Sequence, residues 1–151
     1  MEYINGRSLV SLDAETFTLD ESLNIVGAAF KIDSDIHHEG VTHSDIAPRN
    51  ILYSAPTPAY SCRVVVVDFN RSVIHRLAGR PRHKDGHILP ISPITRQHPR
   101  CSPFSVISWF PESSDWLFRR WYGSAHYEPV PDRVLKLIVD CARRVEQASN
   151  Q

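Results

Sequence analysis

Three features of the sequence predict an α+β chain, mainly α, with one short β-hairpin. A helical period runs through residues 18–39, a β-branched run at 63–67 follows a short apolar segment at 51–53, and a second helical pattern covers 132–148. The 151 residues suit a single domain, because domains of about 100–150 residues are the commonest size. No internal repeat divides them.

The first helix opens at Thr18, with Glu21 three residues later, the spacing at which two side chains satisfy each other's orphan amides. Leu23, Val26 and Phe30 then form one apolar row and Ile25, Ala29, Ile32 and Ile36 a second. Gly40 is the expected stop, since glycine enters the left-handed region without strain. Ile51-Leu52-Tyr53 and Arg63–Val67 read as the strands of a hairpin over 51–68, the second expected to be buried on both faces. Residues 54–61, with two prolines, read as a turn. Seven prolines and glycines, many charges and no period mark 79–104 as a long basic loop. Trp109, Phe110, Trp116, Phe118 and Trp121 are expected to pack in a core. Asp132 is the expected cap of a final helix with Val134, Ile138, Ala142 and Val145 on one face, and with Arg143 and Arg144 near its negative end.

At 42% hydrophobic and 23% charged, the composition excludes disordered and collagen-like classes. No apolar run approaches the roughly 18–20 residues of a membrane span, and Met1–Asn5 lacks the basic-then-apolar pattern of a signal peptide. An intracellular, cytoplasmic location is expected, the nucleus remaining open, with no membrane role. Cys62, Cys101 and Cys141 are far apart and indicate neither a disulfide framework nor a zinc knuckle. No H-E-x-x-H occurs among the eight histidines, so no His/Cys metal cluster is expected. The net charge of zero hides an asymmetry: residues 1–62 hold nine acids against three Lys/Arg, whereas 71–100 hold seven Lys/Arg against Asp85 alone. The basic segment 71–100 is a candidate surface for a protein partner. Without aromatic or glycine-based motifs beside it, nucleic acid is not an expected partner. A serine hydrolase is not expected either, because Gly123-Ser124-Ala125-His126 has the wrong frame for a G-x-S-x-G elbow.

The informative stretch is Gly40-Val41-Thr42-His43-Ser44-Asp45-Ile46-Ala47-Pro48-Arg49-Asn50-Ile51-Leu52, followed by Val64-Val65-Val66-Val67-Asp68-Phe69-Asn70. His43, Asp45 and Asn50 stand at the spacing of H-x-D-[I/L]-x-x-x-N, and Asp68-Phe69 ends a hydrophobic strand as D-F-G does. Singly, Asp and Asn of this kind would be read as turn formers. As a compound pattern they resemble the catalytic core of the protein kinase-like superfamily, over residues 1–72 and more loosely beyond.

The resemblance implies the large, C-terminal lobe of such a fold, with the N-terminal lobe missing. The segment 1–9 would be the hinge, with Glu2, Tyr3 and Ile4 beside the adenine; 43–50 would be the catalytic loop and 68–70 the D-F-G-like turn. It implies ATP and Mg²⁺ as cofactors and a hydroxyl-bearing protein or small-molecule substrate. Asp45 would be the base, Asn50 and Asp68 the Mg²⁺ ligands, and His43 a structural support. Such sites act by positioning and by neutralising phosphate charge.

Departures bear on activity and substrate. Asp45-Ile46-Ala47-Pro48-Arg49-Asn50 lacks the Lys of D-[L/I]-K-x-x-N and is closer to the D-L-A-A-R-N of tyrosine kinases or the D-I-x-P-x-N of aminoglycoside and choline phosphotransferase-like proteins. Ser44 replaces an Arg that often meets a phosphorylated activation loop. Asn70 replaces the glycine of D-F-G, a tolerated change if its backbone is left-handed. Lys31, Lys84 and Lys136 are the only lysines, and none stands in a V-A-I-K context, nor is a Gly-rich loop present. The expectation is an ATP-dependent phosphotransferase, incomplete or weakly active as this chain; the alternative is a non-catalytic, kinase-derived binding or scaffold module.

Overall fold

The computed structural model describes residues 4–57, 62–97 and 120–136. Its organising element is helix α1, Leu19–His38. Thr18 and Glu21 close its first turn reciprocally: Glu21 N donates to Thr18 Oγ1 at 3.3 Å and Thr18 N donates to Glu21 Oε2 at 2.9 Å. The hydrogen bond donated by the Thr18 backbone N–H, ahead of the one from its hydroxyl, holds the Glu21 carboxyl below the usual carboxylate range. Gly40 ends the chain's helical course at φ +97°.

The inner face of α1 buries Ile25, Val26, Ala29 and Phe30, which join Leu9, Ile51, Val66 and Trp121 in the core. Ile32 and Ile36 are only half-buried, because the last turns meet polar rings instead, with His37 centred 5.1 Å from His75. Burial pulls the His37 imidazole down to about 4. Gly27 lets the Arg120 side chain approach closely: a Cβ there would lie 2.9 Å from Cζ of Arg120, whose Nη1 donates to Asn24 Oδ1 at 2.9 Å. The Arg120 side chain thus lies across α1 and brings Trp121 to 6.5 Å from Phe30.

Two small antiparallel sheets flank the helix. One has the order β1 (Arg7–Ser8), β3 (Ile51–Ser54), β4 (Arg63–Val66), with Arg7 opposite Tyr53 and Ile51 opposite Val66. The other pairs β2 (Val41–Thr42) with β5 (Val73–Ile74), Val41 opposite Ile74. Strand β4 is not buried on both faces. It ends the sheet order, with Arg63 exposed, Val64 and Val65 half-buried and only Val66 in the core; its β-branched run serves an edge strand covered from one side by α1.

Of the hinge-like segment, residues 4–9 are described and include strand β1. Ser54 Oγ donates to the Asn5 carbonyl at 2.6 Å, and Leu9 is fully buried. Ile4 is half-buried; Glu2 and Tyr3 lie outside the described residues.

Within the segment 79–104, residues 79–97 are more structured than their composition implies. They hold a 3₁₀ turn at His83–Asp85 and helix α2, Pro93–Gln97. Proline suits the first position of a helix, where no amide donor is lost, and the Ser92 carbonyl accepts from Arg96 N at 3.0 Å. Arg96 Nη2 reaches Asp33 Oδ2 at 3.1 Å with both side chains largely buried, tying α2 to α1. Three charges of the basic segment are paired within the chain: Arg82 with Asp85, Lys84 with Glu39, and Arg96 with Asp33. Residues 132–136 are helical, but the Pro131 carbonyl accepts from Leu135 N at 3.2 Å, so Asp132 sits inside the first turn and is not its cap. Residues 98–119, with Trp109, Phe110, Trp116 and Phe118, and the rest of the expected final helix lie outside the described residues. Among the described residues no helix is long and apolar enough to cross a membrane.

Candidate active site

The two sheets place two loops side by side. Residues 43–50 connect β2 to β3, and residues 67–72 connect β4 to β5; since β3 pairs with β4 and β2 with β5, both ends of one loop are held against both ends of the other. The four strands are short, and a pair of two-residue strands has little stability of its own. Side-chain and backbone bonds between the loops complete the frame.

Val67 is the joint. Its amide donates to the Asn50 carbonyl at 2.9 Å, and its own carbonyl lies 2.9 Å from Nε2 of His43. The residue preceding Asp68 is thereby fixed to both His43 and Asn50. His43 is fully buried; its Nδ1 lies 3.3 Å from Asp45 N as acceptor, so the ring donates from Nε2 and receives at Nδ1. Phe69 packs edge-on against it at 4.6 Å, and Ser72 Oγ donates to the His43 carbonyl at 3.2 Å. The imidazole therefore supports both loops at once, with no exposed atom for chemistry.

Asp45 is held by Asn50 and Arg49. The Asn50 amide donates from Nδ2 to the Asp45 carbonyl and to Asp45 Oδ2, each at 3.0 Å, which leaves Oδ1 as the oxygen donor of that side chain. Arg49 Nη2 donates to both Asp45 oxygens, at 2.6 and 2.8 Å. The Arg49 bond holds the Asp45 carboxyl below the usual carboxylate range, with Asn50 and the more distant Arg71 acting in the same direction. A carboxylate so held is a weak base that can orient a hydroxyl and accept its proton late in a reaction.

Asp68 is exposed and lies in the left-handed region at φ 63°, where Asn70 N donates to its Oδ1 at 3.4 Å. Asp and Asn accept this conformation because the short side chain bonds the turn locally. The left-handed residue of the D-F-N turn is Asp68 and not Asn70, which lies within the 3₁₀ turn Phe69–Arg71. Ser44 also has a positive φ, 65°. Sequence reasoning passed over both this strain and the Arg49 contact; the latter has a signal, four-residue spacing from Asp45 across the loop.

The structure thus brings together His43, Asp45 and Asn50 and holds Asp68 one residue from their shared bonds. An amide oxygen and a carboxylate are hard donors of the kind Mg²⁺ takes, so Asn50 and Asp68 fit as its ligands by chemistry.

Similarity to known proteins is partial. Over 94 residues the chain is 28% identical to calcium/calmodulin-dependent protein kinase type 1B of Rattus norvegicus, Homo sapiens and Mus musculus, a match covering 60% of this chain and 27% of each relative. The chain spans about a quarter of the length of the curated relatives it matches. No family model and no solved structure matches it. The likeness is that of a distant, partial, protein kinase-like relationship.

Proposed function

We propose that the protein is an ATP-dependent phosphotransferase of the kinase-like kind, with the large-lobe site carried by this chain. The observation that carries the reading is the double bond set of Val67, which joins the H-x-D-x-x-x-x-N loop to the Asp68 turn. Magnesium would supply neutralisation of the phosphate charge, held by Asn50 Oδ1 and the Asp68 carboxylate. Asp45 orients the acceptor hydroxyl of a protein or small molecule and receives its proton at a carboxylate oxygen as that hydroxyl's oxygen bonds the γ-phosphorus, the bond from that phosphorus to the β–γ bridging oxygen breaks and ADP leaves. Arg49 holds Asp45 ionised, and His43 fixes the backbone beneath both loops.

The test is transfer of labelled γ-phosphate from ATP by the whole protein with protein and small-alcohol acceptors. Magnesium-dependent transfer that Asp68→Ala abolishes is expected; transfer that survives Asp68→Ala contradicts the assignment. A second reading, a non-catalytic binding or scaffold module, is favoured by one contact: Arg49 engages both oxygens of Asp45. It predicts no magnesium-dependent binding of ATP.

A further inference from the structure

A second polar cluster lies outside the two loops, among His83, His87 and Glu128. His83 and His87 stand four residues apart across the 3₁₀ turn, and Glu128 comes from a distant part of the sequence. His83 Nε2 lies 3.3 Å from Glu128 Oε1, and His87 Nδ1 meets the same oxygen. The two imidazoles stack nearly parallel, 10° between planes and 4.1 Å between centres. One ligand atom from each of the three residues falls within 4.8 Å of the others.

The cluster is built from behind. Glu128 N donates to the Pro90 carbonyl at 2.9 Å, which pins the carboxylate to the turn that carries both histidines. His83 Nε2 also lies 3.2 Å from the Leu89 carbonyl, a second contact that holds the ring where it faces Glu128. Nearby cations are already engaged, Arg82 by Asp85 and Lys84 by Glu39. On the open side is a cleft of ≈ 370 Å³ bounded in part by His37, His83 and His87. The rings of His37 and His38 sit 5.9 and 5.5 Å from His83, each with a buried Nδ1 that has no partner.

We propose that His83, His87 and Glu128 form a binding site for a transition-metal cation of the Zn²⁺ class, with its remaining coordination position facing the histidine-lined cleft. Two imidazoles and a carboxylate suit Zn²⁺ and its neighbours, whereas Mg²⁺ takes oxygen alone. Zinc holds N and O donors at about 2.0–2.2 Å, so side-chain rotation brings the two imidazoles and the carboxylate they already meet into its reach. Three protein ligands and an open position distinguish such a site from closed structural ones. Bound there, the cation links the 83–90 turn to the 120–136 segment beside the end of α1, adding to the Glu128 contacts that already join them.

The experiment is a Zn²⁺ titration of the whole protein in competition with a chromophoric chelator, read together with the thermal midpoint. Retention of one equivalent and a raised midpoint are expected. His87→Ala, at a ring 52% exposed whose loss opens no core, and Glu128→Gln should each weaken binding by more than the roughly 10–100-fold that loss of an outer-shell partner brings. His126→Ala, an exposed histidine outside the cluster, should leave affinity unchanged. No retained zinc, or affinity that His87→Ala and Glu128→Gln leave at the wild-type value, would overturn the proposal.

Discussion

Asp45→Asn is expected to lower the turnover of phosphoryl transfer by about 10²–10⁴-fold, the usual contribution of a positioned acid–base group. The substitution keeps the side chain's shape and one oxygen for Arg49 and Asn50, so the loop frame survives. Folding stability should change little, because the Arg49 partner is 58% exposed and surface ion pairs contribute about 0–1 kcal/mol. Asp45 is not one of the assigned metal ligands, so KM for ATP should stay close to its wild-type value while kcat falls. Steady-state kinetics with a saturating acceptor separates the two constants. An unchanged kcat would remove Asp45 from the chemistry.

His43→Ala should be the most disruptive change in the loop frame, destabilising the fold by about 3–5 kcal/mol, as large-to-small replacements of buried rings do. It empties a fully buried site and strips the Val67 carbonyl and the Asp45 amide of their partner; each orphaned polar group adds about 1–3 kcal/mol if it stays dry. His43→Phe refills most of the volume without restoring either bond, and should fall between wild type and alanine. Urea unfolding of the three proteins gives the order directly. If phenylalanine matches histidine, packing alone accounts for the residue and the two bonds are not what holds the loops.

The parts of the fold legible in the sequence are those with period or paired chemistry. Thr18 and Glu21 mark the start of α1 because a capping box is local, and Ile25, Val26, Ala29 and Phe30 mark its buried face because burial repeats every three to four residues. Strands of two residues such as β1, β2 and β5 have no period to read. Helix α2 was hidden by its proline, which reads as a breaker in the sequence yet starts the helix in the structure. In the candidate site, His43, Asp45, Asn50 and Asp68 were legible by spacing. The role of Val67 was not, because it acts through backbone groups that every residue carries. His83 and His87 share a ligand-like interval, but Glu128 joins them only through the fold.

Whether the Asn50 and Asp68 loops hold a magnesium nucleotide is decided by calorimetric titration of the protein with ATP in the presence and absence of Mg²⁺. Binding that requires Mg²⁺ and disappears in Asp68→Ala is expected. Binding that is indifferent to Mg²⁺, or that Asp68→Ala leaves intact, would contradict that assignment.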